Sequence, residues 1–251
     1  MTALVGILNV GLGIIYSSYG VMTLIDMKRG WKTMGFSHFG AAWVAMAFTC
    51  GPHHLDHGFH VLFGGAGAGS IDAATVLVGL PAGMAWFLLR LEAFAGGRGD
   101  RLIGGTPKWL MSLPPLSGVY VTALAAVSVA VLSKNGTAFN SLLAPSALLL
   151  VLYGTIGYFL IRTQLRNHAQ EGGWSISGIT LGIVFPTCGL MHATHAMYAT
   201  AGLYRIDSVQ LAIDWLSVPA AVYFLWVVRG LYLESLEDWN RSTTQRPVLA
   251  G

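Results

Sequence analysis

The sequence TCGPHHLDH at Thr49–His57 recurs as TCGLMHATH at Thr187–His195, 138 residues further along the chain. The two segments share the pattern T-C-G-x-x-H-x-x-H and contain both cysteines of the protein. Each segment lies inside a long apolar stretch, where polar and ionisable side chains are costly and mark a functional site by default. This duplicated motif therefore indicates both the class of fold and the position of the functional site.

The composition is typical of an integral membrane protein. Hydrophobic residues make up 54% of the 251 residues and charged residues only 10%, whereas about a quarter of the residues in a soluble domain are charged. The net charge of +3 is small, so we expect no nucleic-acid partner. Two cysteines do not make a disulfide framework. The first apolar run has no basic region before it, which favours a retained helix over a signal peptide.

Apolar windows of about 20 residues predict an all-α, polytopic membrane protein with seven transmembrane helices. The predicted ranges are Ala3–Leu24, His38–Phe63, Ala73–Ala93, Leu116–Leu132, Leu142–Ile161, Ile176–Ala201 and Val209–Tyr232. The fourth helix is the shortest, and the two motifs lie in the second and the sixth. The lipid bilayer is the expected environment, and partner membrane subunits or a homo-oligomer are possible assemblies.

Basic residues concentrate in alternate loops and in the polar tail 234–251. They are Lys28, Arg29 and Lys32 after the first helix, Arg98, Arg101 and Lys108 after the third, Arg162 and Arg166 after the fifth, and Arg241 and Arg246 in the tail. Loops rich in Lys and Arg stay on the cytoplasmic side of a membrane. We therefore expect a plasma membrane of the bacterial type, with the N-terminus outside and the C-terminus in the cytoplasm.

Matching residues outside the motif extend the duplication. The pairs with the same offset are Pro81 and Pro219, Ala82 and Ala220, and Trp86 and Phe224. We expect one transmembrane domain over 1–251, built from two three-helix repeats at about 3–95 and 142–232 and joined by a linker helix at about 116–132. Because four crossings separate the repeats, they enter the membrane in the same direction, as parallel repeats do. Chance similarity between apolar helices is the alternative.

Each motif places one thiol and two imidazoles on a single helix face. The residues at positions i, i+4 and i+7 are Cys50, His54 and His57 in the second helix, and Cys188, His192 and His195 in the sixth. Under a twofold relation the two faces would meet near the outer surface. Thiols and imidazoles are ligands for copper, zinc or iron, so we expect these six residues to bind a transition metal.

A second set of polar residues lies on a neighbouring face of the second helix. His53, Asp56 and His60 combine imidazoles with a carboxylate, an arrangement that orients a metal ligand or relays a proton. We consider these three the candidate catalytic residues. Asp214, in the seventh helix, is another carboxylate within the membrane that can reach this region.

The motif leaves several cofactors and functions open. Haem b is the alternative cofactor, because two facing imidazoles on separate helices can ligate one haem. The pattern favours a redox or monooxygenase-type membrane enzyme, or a subunit of one, although catalysis itself is not established by these residues. A transporter or metal-delivery protein with parallel repeats is one alternative, and a metal-free, proton-linked sensor is another. Histidines that serve packing alone are the structural alternative.

Overall fold

A computed structural model describes residues 2–64, 69–104, 126 and 143–244 of the protein. Within these ranges the chain forms six α-helices and one small β-sheet. The helices are α1 (Thr2–Met34), α2 (His38–Phe63), α3 (Ser70–Phe94), α4 (Ala144–Glu171), α5 (Ile176–Thr200) and α6 (Ser208–Thr244). The predicted helix at Leu116–Leu132 lies outside the described residues, apart from Ala126.

Five of the described helices are long and apolar enough to cross a membrane. Their apolar ranges are Thr2–Thr33, Ser70–Phe94, Ala144–His168, Ile176–Thr200 and Ser208–Glu234. The prediction of an all-α protein with membrane-spanning helices is confirmed to that extent. α2 is not among the five, because the histidines and the aspartate of its motif lower its mean hydropathy.

Local signals in the sequence start and stop the helices. The Ser37 hydroxyl accepts a hydrogen bond from the Gly40 N–H at the start of α2, and Ser175 does the same for Gly178 at the start of α5. α4 extends ten residues beyond the predicted end at Ile161. The prediction followed the apolar run of the sequence, whereas helical hydrogen bonding continues into the polar residues after it. Gly172, with φ +72°, closes α4 in the left-handed conformation that glycine adopts without strain.

The surface of the helix bundle is apolar and its interior holds polar groups. Ile7 on α1, Leu77 on α3 and Leu216 on α6 are more than half exposed. In contrast, Asn9 and Gln210 are almost completely buried. This distribution is the reverse of that in a soluble protein and suits a molecule whose solvent is the bilayer.

Each described helix packs mainly against two others. α1 contacts α2 and α3, α4 contacts α5 and α6, α2 contacts α6, and α3 contacts α5. Small residues bring α1 and α2 close together. A Cβ atom on Gly58 of α2 would lie 2.9 Å from the Gly6 carbonyl oxygen and 2.9 Å from the Val10 nitrogen.

A short antiparallel sheet ties together the loops that follow α3 and α4. Strand β1 (Leu102–Gly104) pairs with β2 (Gly173–Ser175). Asp100 supports the sheet by accepting hydrogen bonds from the Ser175 hydroxyl at 2.5 Å and the Ser177 N–H at 3.0 Å. Partial burial raises the pKa of Asp100, but these hydrogen bonds outweigh it and leave the pKa below its usual value. The C-terminal ends of α3 and α4 therefore lie on the same side of the protein.

The close contact between α1 and α2 can be tested by adding one methyl group. We expect Gly58→Ala to lower the free energy of unfolding by about 1–3 kcal/mol, because the new Cβ meets backbone atoms of α1. Gly11→Ala is the matched control, since its Cβ would have no neighbour within 4 Å. The measurement is thermal unfolding of both variants in detergent. Equal midpoints would contradict this packing.

Candidate metal centre between helices α2, α5 and α6

Three helices bring two histidines and one aspartate into contact in the protein interior. His53 of α2 has its Nδ1 atom 2.8 Å from Oδ1 of Asp214 on α6, and His192 Nδ1 of α5 lies 3.7 Å from the same oxygen. All three side chains are at most 2% exposed. The site is therefore shielded from solvent by the helices that supply its ligands.

The close approach of these residues does not produce aligned hydrogen bonds. Both ring nitrogens of His53, Nδ1 of His192 and both carboxylate oxygens of Asp214 are buried, with no hydrogen-bond partner among the described residues. A buried polar atom without a partner costs about 1–3 kcal/mol, and more when it is charged. Such a set of atoms is explained if the group binds an ion.

The spacing of the three ligand atoms suits a single metal ion. Atoms that bind one ion at about 2.1 Å lie roughly 3.0 Å apart in neighbouring octahedral positions and roughly 3.4 Å apart in a tetrahedron. The two distances to Asp214 Oδ1, 2.8 and 3.7 Å, bracket these values. Three ligands also leave further coordination positions open.

A second group lies one helical turn from the first. His57 follows His53 by four residues on α2, and His195 follows His192 by three residues on α5, so each pair shares a helix face. The Nε2 atoms of His57 and His195 are 3.4 Å apart. The carboxylate of Asp72, on α3, lies within 4.8 Å of both.

The two histidines of the second group belong to a closed ring of hydrogen bonds. The Tyr204 hydroxyl donates to Gln210 Oε1 at 2.6 Å, and Gln210 Nε2 donates to His195 Nδ1 at 3.3 Å. One assignment of tautomers completes the ring: His195 Nε2–H donates to His57 Nε2, and His57 Nδ1–H donates to the Tyr204 oxygen at 3.4 Å. Every nitrogen of these two histidines is then paired.

Tyr204 closes this ring from the loop between α5 and α6. Burial raises the pKa of Tyr204, and the negative charges of nearby Asp56, Asp214 and Asp207 raise it further. The phenol therefore keeps its proton at physiological pH and can act as the donor that the ring requires.

The remaining residues of the duplicated motif turn towards α1 and α4. His54 Nδ1 lies 2.8 Å from Asn9 Oδ1 of α1, and His54 Nε2 is 3.8 Å from Cys188 Sγ. Cys50 Sγ is 3.2 Å from the Tyr153 hydroxyl of α4. The structure therefore does not bring His54 or the two thiols into either His/Asp group. An apolar cavity of about 20 Å³ lies beside the thiols.

Asp56 and His60 lie nearer to the C-terminal end of α2 than His53 does. His60 Nε2 is 3.0 Å from Asp207 Oδ2, and His60 Nδ1 is 3.4 Å from Asp56 Oδ2. All three side chains are partly exposed. His60, Asp207 and Tyr204 line a cavity of about 440 Å³, so this outer group lies between solvent and the hydrogen-bonded ring.

Several residues of the site were not found by sequence reasoning. They are Asp72, Asp207, Tyr204, Gln210 and Asn9. One signal was present: Asp72 and Gln210 are separated by 138 residues, the offset of the motif itself. Asp72 lies at the start of α3, where one of its oxygens accepts the Gly69 N–H at 3.3 Å.

Removal of the Tyr204 hydroxyl tests the ring. We expect Tyr204→Phe to lower the free energy of unfolding by about 1–3 kcal/mol, because His57 Nδ1 and Gln210 Oε1 lose their partner in a buried position. Tyr158→Phe is the control, since the Tyr158 hydroxyl makes no hydrogen bond within the described ranges. Thermal unfolding in detergent measures both. A Tyr204→Phe protein as stable as the control would contradict the ring.

Comparisons with known proteins assign the chain to no family. No protein family matches it, and neither a curated protein nor a solved structure does. The chemistry of the site must therefore be argued from its own residues, their burial and their spacing.

Proposed function

We propose that this protein is an integral membrane metalloprotein that binds a transition metal ion through His53, His192 and Asp214. We further propose that it acts as a redox or monooxygenase-type enzyme, or as a subunit of one. One observation carries the proposal: five nitrogen and oxygen atoms of this group are buried without an aligned hydrogen bond, in the part of the chain that the structure describes. One metal ion would bind Nδ1 of His53, Nδ1 of His192 and the Asp214 carboxylate together.

Among copper, zinc and iron, the ligand set suits iron and zinc, and of these two only iron supplies the redox centre that the proposed enzyme requires. Two histidines and one carboxylate with open positions are the typical ligands of non-haem Fe(II) oxygenases. When bound, such an ion supplies a redox centre with free coordination positions. The chain holds the ion between three helices and excludes bulk water from it. We do not propose haem b, because the cavities beside the motif, of about 20 and 10 Å³, are far too small for a porphyrin.

We also propose seven membrane crossings, with the N-terminus outside and the C-terminus in the cytoplasm. The pairing of β1 with β2 supports this topology, since it holds the ends of α3 and α4 on one side. α4 has 28 residues and is about 42 Å long, so its first residue lies on the opposite side. We therefore propose the remaining crossing at Leu116–Leu132, which lies outside the described residues apart from Ala126.

The arrangement of two parallel three-helix repeats is supported by contacts between the repeat that contains α1, α2 and α3 and the repeat that contains α4, α5 and α6. His57 and His195, which face each other, are 138 residues apart. Tyr153 of α4 contacts Cys50 of α2, and Tyr16 of α1, 137 residues before Tyr153, lies beside Cys188 of α5. A tyrosine of each repeat thus contacts the thiol of the other repeat, as a twofold axis between α2 and α5 requires.

A second function is favoured by one observation at the outer face. The cavity of about 440 Å³ is lined by His60 and Asp207 together with Arg205, and the first two belong with Asp56 to a cluster that can attract a cation. A transporter or metal-delivery protein would use such a cavity to exchange its ion. The rate of exchange separates the two functions, because an enzyme retains its metal during chelation whereas a carrier releases it.

Elemental analysis of the purified protein tests the metal site. We expect His53→Ala and Asp214→Asn each to remove about one equivalent of metal per chain, because each removes a ligand that no other residue replaces. His38→Ala is the control, since His38 lies at the opposite end of α2 and contacts Tyr223. His54→Ala is expected to retain the ion, because His54 pairs with Asn9 and Cys188.

The same samples distinguish the alternatives. If the His54→Ala protein lost its metal while the His53→Ala protein kept it, the ligand set would be the one expected from the duplicated motif. If folded wild-type protein bound no transition metal at all, the metalloprotein proposal would be wrong. Metal that is retained through extended treatment with chelator would favour the enzyme, and metal that exchanges within minutes would favour the carrier.

Labelling of introduced cysteines tests the orientation. Leu203, in the loop between α5 and α6, and Arg98, after α3, are both exposed. In intact cells we expect a membrane-impermeant maleimide to label Leu203→Cys but not Arg98→Cys, because charged maleimides do not cross the bilayer. Both variants should react after lysis. Labelling of Arg98→Cys alone in intact cells would reverse the topology.

A further inference from the structure

Asp72 contributes a buried carboxylate that the hydrogen-bonded ring does not use. Its side chain is 1% exposed. Oδ2 accepts the Gly69 N–H at 3.3 Å, but Oδ1 has no hydrogen-bond partner among the described residues. Burying a carboxylate with one oxygen unpaired is costly unless a cation lies close to it. Asp72 therefore needs a partner that the structure's hydrogen bonds do not provide.

The two facing imidazoles of the ring lie close to that carboxylate. The ligand atoms of Asp72, His57 and His195 all lie within 4.8 Å of one another. The His57 and His195 Nε2 atoms are 3.4 Å apart, and two nitrogens bound to one tetrahedral ion at about 2.1 Å are separated by roughly the same distance. In the ring, a single proton lies between these two nitrogens.

A metal ion can replace that shared proton with small rearrangements. The proton on His195 Nε2 moves to Nδ1, and the Gln210 side-chain amide rotates so that Oε1 accepts from Nδ1 and Nε2 donates to the Tyr204 oxygen. His57 keeps its Nδ1–H bond to Tyr204. Gln210 and Tyr204 then hold the outer nitrogens of both histidines, as hydrogen-bond partners of metal ligands usually do.

The second group is adjacent to the first. The ring centroids of His53 and His195 are 5.5 Å apart, and those of His57 and His195 are 4.2 Å apart. The two groups thus stack along the facing surfaces of α2 and α5. Pairs of carboxylate- and histidine-bound metal ions are built in this way in helix bundles, from residues one turn apart.

We propose that Asp72, His57 and His195 bind a second divalent transition metal ion, so that the protein contains a two-metal centre. The second ion neutralises the unpaired Asp72 carboxylate and lies on the side of the first ion that faces Tyr204 and the outer cavity. This inference rests on the proposed function, because it assumes that the first group binds a metal. A two-metal centre can bind one substrate oxygen from two sides.

Cobalt binding measures the number of ions and their separation. Metal-free protein in lipid nanodiscs is titrated with Co²⁺ without oxygen, and bound metal is counted by elemental analysis. We expect about two ions per chain in the wild type and about one in Asp72→Asn, because asparagine keeps the hydrogen bond to Gly69 but has no charge. Electron paramagnetic resonance should show two coupled ions in the wild type and an uncoupled ion in Asp72→Asn.

Matched variants separate ligand loss from damage to the fold. Glu92→Gln removes a carboxylate from the other end of α3, where Glu92 pairs with Arg101, so we expect it to bind about two ions with wild-type coupling. Asp214→Asn should also bind about one ion, at the second group. If Asp72→Asn does not fold, His195→Gln provides the same test from α5.

The possible results lead to different conclusions. Two ions in the wild type and one in Asp72→Asn would support the two-metal centre. One ion in the wild type, unchanged by Asp72→Asn and lost in Asp214→Asn, would overturn the second site and leave the proposed function intact. No bound ion in folded wild-type protein would overturn both.

Discussion

Burial of unpaired imidazoles and carboxylates is the constraint on which the structure depends. His53, His192 and Asp214 would each be costly in an apolar interior without hydrogen bonds. α2, which carries His53, is flanked by α1 and α6. The exposed apolar residues of α1, α3 and α6 suit a bilayer environment. Apolar exposure and burial of the polar groups thus occupy different faces of the helices, as α6 shows with Leu216 exposed and Asp214 buried.

Much of the fold could be predicted because membrane helices carry local signals. The predicted bounds of α2, His38–Phe63, agree with the structure, since Ser37 caps its start and the apolar run ends at Phe63. The rotation of that helix could not be predicted. His53 and His54 are adjacent, about 100° apart around the axis, and the duplication pointed to His54. Only the positions of Asp214 and Asn9, on other helices, decide that His53 faces the interior group.

The repeated motif predicts the facing imidazoles but not the interior His/Asp group. At the motif's offset of 138, His53 corresponds to Met191 and Asp214 corresponds to Val76. These two members of the interior group therefore have no counterpart at the matching positions, whereas His57 and His195 correspond to each other. Comparison of the two motifs in the sequence is enough to find His57 and His195. His53 and Asp214 can be found only from the packing of the helices.

The low hydropathy of α2 affects how the helices assemble. A helix of low hydropathy such as α2 gains little from lipid, so its stability in the membrane must come from neighbouring helices and from ligands bound between them. The close approach of α1 at Gly58 provides the first of these contacts early in the chain. Asp214 and His192, which complete the interior group, follow more than 130 residues later. A metal ion bound as proposed would stabilise the assembled bundle, because it would join α2 to helices that are made last.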